Sequence, residues 1–541
     1  MSVPVPVIPE SEQTPLVQRL LEIIHQQAEI LQQLRDEIAI LKGLKPKPKI
    51  APSQLEAPPS PKPAPDPTAS QKRPGSDKRA KTAELTIHEE VIVKPQQIPP
   101  GSQFKGYEDF VVQDLILEPH NVRYRRERWV TPDGTTVVAD LPAAVVPGRH
   151  FGPDLLCFII HQYHHQHVTQ PLLLEQLRQL GVDISSGQLN RILTEDKDAF
   201  HQEKEELLPA GLATSSYIHA DDTVARHEGK QGYCTHVGND FFAYFRSTDS
   251  KSRVNFLEVL RGIHQDYVID EVALAYFAQQ KLALVLIGAL TAGVRTFADG
   301  AAWQAHLSSL GICDERHVRI ATEGALLGSL MSHGVSPNLG VISDDAGQFD
   351  ILVHALCWIH AERTLARLIP FNDKYRQALE GVRTQVWDFY AELKVYKTAS
   401  CPEEKTRLEA RFDELFATKT DFATINGALK RLGANKAELL RVLERPELPL
   451  HNNPSENDIR DYVKKRKISG STRSEAGRLC RDTFASLKKT CRKLGIGFWA
   501  YLRDRIRGSG VVPRLAEEIR KRAASAAAGV PAEPEAAAAP G

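Results

Sequence analysis

Residues 215–248 read SSYIHADDTVARHEGKQGYCTHVGNDFFAYFRST, and this stretch decides the fold class. Within it SSYIHADDT (215–223), GYCTHVGN (232–239) and DFFAYFRST (240–248) are rich in aromatic and β-branched residues. They are separated by Gly-, Asn- and Asp-bearing turn signals, so three short strands in succession are predicted. Downstream, NLGVISDDAGQF (338–349) reads as a fourth apolar strand. Between them lie a helical stretch from about Val254 to Ala278 and the apolar run LALVLIGAL (282–290). Strands alternating with helices make this part of the chain an α/β domain.

Acids close two of those strands: Asp221 and Asp222 end the first, Asp344 and Asp345 the fourth. An unpaired buried carboxylate costs several kcal/mol, so acids in these places are not ordinary core residues. A third acid stands in LPLHNNPSENDIRDYVKKRK (448–467), where Asn453 can cap a helix carrying Glu456, Ile459, Arg460 and Val463 at helical spacing. Hard divalent cations take oxygen ligands, and a metal pair clamps both oxygens of an in-line phosphoryl displacement. Two strand-end aspartates and a helix-borne glutamate suit that chemistry, with no nucleophilic side chain required. Neighbouring strand residues point to opposite faces, so only one member of each doublet can join such a cluster. Alternation alone leaves Asp221 or Asp222, and Asp344 or Asp345, open.

The sequence around each acid resembles the DDE transposases of bacterial insertion sequences, in particular the Insertion Sequence 66 family. IHADDT (218–223) is similar to the first-aspartate block, VISDD (341–345) followed by CWIHAER (357–363) to the second, and LPLHNNPSENDIR, KRKISGS and GIGFWAYL to the glutamate-bearing third. The resemblance covers roughly Ser215 to Ile506. It implies a ribonuclease-H-like core over residues 213–506 with a helical insertion at about 350–447. It also implies Asp221, Asp344 and Glu456 as catalytic residues holding two magnesium ions, for which manganese substitutes. The implied activity is DNA transposition: strand cleavage exposes 3′-hydroxyls, which then attack target DNA. The implied partners are terminal inverted repeats, target DNA and accessory element-encoded proteins. A non-cleaving DNA-binding protein on the same fold, and a nuclease without strand transfer, are the rival readings. One departure is the N-terminal region: family members often carry a cysteine-rich zinc segment near VRYRRERWV (122–130), and this chain has no cysteine before Cys157.

On a helix beginning near His354, His360 and Arg363 fall at i and i+3 and share a face with Cys357. Cys357 and His360 read as a packed helix face, since zinc wants four ligands and two are visible. Arg363 is placed either to pair with a catalytic acid or to touch a phosphate.

Upstream, residues 149–212 form a helical block. VTQPLLLEQLRQLGVDISSGQLNRIL (168–193) contains a helix, a break at Gly181, and a second helix capped by Ser185 or Ser186. The short turn suggests a helix-turn-helix whose second helix offers Ser186, Gln188, Asn190 and Arg191 to the major groove. A plain helical hairpin is the alternative. Residues 85–148 hold short β-type runs, VIV, DFVVQDLIL and VRYRRERWV, and predict a small β-domain. Residues 46–84 form a linker, with ten prolines between 46 and 74. Before it, residues 14–45 carry Val17, Leu20, Ile24, Gln27, Leu31, Leu34, Ile38 and Leu41 at heptad spacing, a coiled-coil seam for homo-oligomerisation. Residues 507–541 are expected to be a low-complexity tail.

The 541 residues balance 68 Lys+Arg against 68 Asp+Glu, so bulk charge does not mark a basic nucleic-acid module. No apolar run reaches the roughly 20 residues of a membrane span, and the N-terminus lacks a secretory pattern. Seven scattered cysteines fit neither a disulfide framework nor a cysteine-rich zinc site, so a cytoplasmic location is expected. Charge is instead local: Asn452 to Ile506 carries 14 basic and 6 acidic residues, a net of +8. Positive charge beside the third acid is the footprint expected for phosphate contact, with Arg460, Lys464, Lys465, Arg466 and Lys467 as candidate contacts.

Overall fold

The computed structural model describes residues 86–142 and 150–528, and in the leader Gln27, which is helical. The rest of the heptad seam, the proline-rich linker and the chain beyond residue 528 lie outside the described residues.

Two units separate at Leu117. In the first, residues 86–117 form neither helix nor strand, and their apolar side chains are exposed, Val93 and Phe110 most of all. The second unit begins with a hairpin of β1 (Arg128–Val130) and β2 (Thr136–Val138) around the Pro132-Asp133-Gly134 turn. The small β-domain expected over residues 85–148 is therefore corrected to this hairpin among the described residues. VIV and DFVVQDLIL find no partner strand, and an isolated strand leaves its backbone groups unpaired.

Four helices follow: α1 (Pro153–His164), α2 (Gln170–Gln179), α3 (Ser186–Thr194) and α4 (Asp198–Thr214). Gly181, at φ +84°, supplies the left-handed turn that ends α2. Ser185 then starts α3 with a reciprocal capping box: its hydroxyl accepts from Gln188 N, and the Gln188 side chain accepts from Ser185 N. Ile159, Leu173, Leu177, Ile184, Leu189 and Leu193 form the small core of α1–α3.

The central sheet is built from β3 (Tyr217–Val224), β4 (Tyr233–Gly238) and β5 (Ala243–Thr248), then two later strands. After β5 the chain runs through α5 (Arg253–Arg261), β6 (Tyr267–Val268), α6 (Glu271–Gln279), α7 (Leu284–Thr291), β7 (Thr296–Phe297), α8 (Gly300–Ser309) and α9 (Glu315–Ser332). It returns as β8 (Gly340–Ser343) and β9 (Val353–Leu356). Sheet order is β5-β4-β3-β8-β9; the first three strands are antiparallel, and β8 runs parallel to both β3 and β9. One face rests on the main core through Ile218, Ala220, Val237, Tyr244 and Val341. On the opposite face Cys234, Ala243 and Phe245 meet Ile459 and Tyr462.

The helical insertion starts later than expected. Residues 353–356 pair with β8 instead of opening a helix at His354, so the insertion begins at α10 (Trp358–Ala366). It continues through α11 (Asp373–Tyr396), α12 (Pro402–Ala417), α13 (Ala423–Ala434) and α14 (Lys436–Leu439). Trp358, Phe389, Leu408, Phe412 and Leu429 give the insertion a core of its own. The chain then forms α15 (Asn453–Ser469), α16 (Glu475–Lys493), α17 (Phe498–Arg507) and α18 (Leu515–Ala527). The tail expected from residue 507 is corrected by α18, which buries Leu515 and Ile519 and packs on α4. Glu203 of α4 secures this end, accepting from Leu515 N at 3.1 Å and from Arg505 at 2.8 Å.

Candidate active site

The parallel register of β3 and β8 runs Tyr217 opposite Gly340, Ile218 opposite Val341 and His219 opposite Ile342. Continuing it two residues sets Asp221 beside Asp344; Asp344 directly follows the end of β8, whereas β3 runs on to Val224 in its pairing with β4, so the expected strand-end position of Asp221 and Asp222 is corrected to one inside the strand. Strand alternation places Asp221 with His219 on the face toward α15, and Asp222 with Ile218 and Ala220 on the other. Contacts agree with that division. Asp222 is ion-paired with Lys251 and accepts from Gln348 Nε2 at 2.7 Å, so its charge is already satisfied on the α5 side. Asp345 is exposed and accepts from Asn435 Nδ2 at 3.1 Å. Asp221 and Asp344 are thus the members of the doublets that share an environment.

Glu456 comes from the first turn of α15, where a carboxylate meets the positive end of the helix dipole. The expected cap moves by one residue: Asn452 takes the N-cap position, with no side-chain cap bond, and Asn453 is the first helical residue. The fully buried Asn452 side chain instead ties the helix start to β3. Its Nδ2 donates to Ala220 O at 2.8 Å, and its Oδ1 accepts from His219 Nδ1 at 2.9 Å. One turn on, Ser455 Oγ hydrogen-bonds His236 Nδ1 at 2.6 Å, and Asp458 lies 3.4 Å from His236 Nε2. These bonds hold α15 against β3 and β4, next to Asp221. None of His219, His236, Asn452, Ser455 or Asp458 stood out in the sequence as a site residue, although Asn452 belongs to the HNN triplet that precedes the glutamate.

The three acids feel one another. Burial pushes the Asp221 carboxyl up to about 7, and the charges of Asp344, Asp222 and Glu456 add to the rise against a lowering bond from Asp222 N. Glu456 is held by a two-pronged Arg363 contact, Nη1 to Oε1 at 2.7 Å and Nη2 to Oε2 at 3.2 Å. His360 Nε2 stands 3.5 Å from the same carboxylate, and burial keeps that imidazole below its ordinary pKa. Of the two roles open to Arg363, the structure has the acid pairing. Cys357 is buried as expected but precedes the helix as its N-cap residue and is not on the helix face; its sulfur accepts from Asn452 N at 3.1 Å, and burial raises the thiol to about 11. His360, by contrast, borders the acids. Among the described residues, three ligand atoms within 4.8 Å of one another are found at His264, Asp266 and His333, and not at the three acids. Like charges repel, and Glu456 is drawn toward Arg363.

The candidate DNA contacts divide. Arg460, Lys464 and Lys467 are exposed on α15. Lys465 is not, which corrects its assignment: its Nζ donates to Tyr163 O at 2.6 Å and lies 3.4 Å over the Tyr163 ring, and burial lowers the ammonium to about 7. Arg466 is half-buried and clamps the end of β3 through Thr223 Oγ1 at 3.1 Å and Val224 O. Much of the local positive charge is likewise internal, with Lys488 bound to Asp461 at 2.6 Å and Lys493 to Asp458 at 2.8 Å. On α3, Arg191 is exposed and Asn190 accepts from Gln170 Nε2 at 3.3 Å. Gln188 is spent in the capping box, a local role that the spacing Ser185 to Gln188 could have revealed.

The family model described as Transposase IS66 family matches residues 344–479, the span from Asp344 through Glu456 into α16. The uncharacterized protein y4jO of Sinorhizobium fredii (strain NBRC 101917 / NGR234) is 42% identical over 315 residues, covering 57% of this chain and 98% of that protein.

Proposed function

The chain belongs to the Transposase IS66 family, and from that premise we propose that it moves a bacterial insertion sequence by the DDE mechanism on a ribonuclease-H-like core. The observation that carries this reading is the in-register meeting of Asp221 with Asp344 on the sheet face where α15 delivers Glu456. The sheet order, three antiparallel strands followed by two parallel ones, supports the ribonuclease-H-like assignment.

The residues present suit divalent cations. All three side chains offer carboxylate oxygens, and the Asp221 carboxyl, raised by burial first and then by the charges of Asp344, Asp222 and Glu456, would be stabilised in its ionised form by a bound cation. Asp221, Asp344 and Glu456 would hold two magnesium ions, or manganese in their place, which supply Lewis-acid stabilisation of the attacking and leaving oxygens. Asn452, Ser455 and Asp458 keep α15 seated so that Glu456 stays near Asp221 and Asp344. Arg363 balances the Glu456 charge and would contact the scissile phosphate of bound DNA. Arg460, Lys464 and Lys467 hold the backbone of the bound end, while α3 with Arg191 engages the terminal repeat. In the first step water forms a new bond to phosphorus and the 3′ oxygen leaves as a free hydroxyl. In the second that 3′ oxygen attacks a target phosphodiester and displaces the target's own 3′ oxygen.

The test uses duplexes bearing the element's terminal repeats, a supercoiled target and magnesium. The parent chain should join 3′ ends to target. Asp221→Asn, Asp344→Asn and Glu456→Gln should each fall to background while still binding the repeat, and Asp345→Asn should join nearly as well as the parent. Binding without any cleavage by the parent would favour the non-cleaving reading, and cleavage without joining would favour a nuclease.

A further inference from the structure

Away from the acids, three metal-ligating side chains meet where the loop after α5 passes the end of α9. His264 follows Gly262, whose φ of +68° turns the chain out of α5; Asp266 leads into β6; His333 is the C-cap residue of α9. The two imidazoles stack at a centroid distance of 3.5 Å and an angle of 10°. His333 Nε2 lies 2.8 Å from Asp266 Oδ1, and the Ser329 hydroxyl donates to the same oxygen at 3.1 Å. Arg261 Nη1 fixes the Asp266 backbone by donating to its carbonyl at 2.8 Å. The ligand atoms of all three residues fall within 4.8 Å of one another.

We propose that His264, Asp266 and His333 form a second divalent-metal site, chemically distinct from the three acids, that takes a zinc-class ion. Two imidazole nitrogens and one carboxylate oxygen match the borderline-soft preference of zinc and cobalt, whereas magnesium prefers oxygen alone. Three protein ligands leave the fourth tetrahedral position to water. Further observations favour a ligand over a simple hydrogen-bonded pair. Asp266 is already oriented by Ser329, the kind of outer contact that holds a ligating carboxylate. The ring nitrogens of His264 make no hydrogen bond to the described residues, so a lone pair is available. A bound ion would pin the loop 262–266 to the end of α9, from which the chain runs into β8 and Asp344. The inference does not depend on the transposase mechanism.

The test is cobalt binding to the full chain, carrying no histidine tag and freed of metal by chelation. One equivalent of Co²⁺ should give a visible d–d absorption band that zinc removes and excess magnesium does not. His264→Ala and His333→Ala should each weaken uptake about tenfold or more, while Asp221→Asn and Glu456→Gln leave it unchanged. Because His264 is exposed, its loss should leave the far-ultraviolet circular dichroism intact; Asp266→Asn serves as a second variant should either alanine chain fail that check. An absent band at saturating cobalt, or a band unchanged in the His264→Ala/His333→Ala double variant, would overturn the proposal.

Discussion

Lys465 shows how far a residue can depart from its surroundings in sequence. Placed in the run Lys464-Lys465-Arg466-Lys467, it reads as one more DNA-facing cation, yet it is the member turned inward onto Tyr163. Its ammonium is lowered to about 7, by burial first and then by Arg481 and Lys488. The unfolded chain holds this proton up to about pH 10.4, whereas the folded chain gives it up near pH 7. Between those values the unfolded state binds more protons, so the Lys465 contribution makes stability rise with pH, by up to about 1.4 kcal/mol per unit. Below pH 7 both states are protonated and the full burial penalty is present. Lys465→Met should flatten that rise between pH 7 and 10, measured by urea unfolding at a series of pH values; an unchanged slope would show that the ammonium is not buried in solution. Partners from distant segments likewise set Asp222 and Asp345 apart from Asp221 and Asp344. Each finds a polar partner away from the α15 face, information carried by Lys251, Gln348 and Asn435.

Helix α15 carries both Glu456 and three of the cations proposed to contact DNA. Its inner side carries Ser455, Asp458, Ile459 and Tyr462 against the sheet, and its outer side carries Arg460, Lys464 and Lys467. Each phosphate neutralised by a side chain adds about 0.9 to the slope of log affinity against log salt. Changing Arg460, Lys464 and Lys467 together to Gln should therefore remove up to about three units of slope with little change in sequence preference. A slope equal to the parent's, measured by fluorescence anisotropy, would return this face of α15 to plain solvation. For α3 the capping box shifts the expectation. Losing Gln188 weakens the start of the helix instead of a base contact, at a cost on the order of 1 kcal/mol, and Arg191 is left as the exposed cation for DNA.

For the whole molecule, the proposed function requires two DNA ends to be held at once for coordinated joining, and the described residues carry one such set of acids. The heptad seam in residues 14–45 offers the simplest means of bringing two chains together. Removing residues 1–45 should lower the mass measured by light scattering at micromolar concentration and reduce paired-end joining more than single-end binding. An unchanged mass would assign assembly to another surface. The insertion carries a core of its own, and through Arg363 of α10 it reaches the carboxylate of Glu456. It therefore borders the candidate site and is more than a spacer between Asp344 and Glu456.

The residues by themselves determined the strands that carry Asp221 and Asp344, the helix that carries Glu456, and the turn from α2 to α3. Each depends on local signals: alternation, turn residues, caps and helical periodicity within a dozen residues. The strand β9 was hidden because VHAL is too short to separate by pattern from the start of the helix that follows it. Helix α18 was hidden because its alanine-rich run reads as low complexity until Leu515 and Ile519 find α4. Only the tertiary structure could choose between neighbouring acids, turn Lys465 inward, and bring Arg363 to Glu456 across 93 residues of chain. Those outcomes depend on which groups meet from distant segments, and desolvation and charge pairing act on such meetings, not on sequence neighbours.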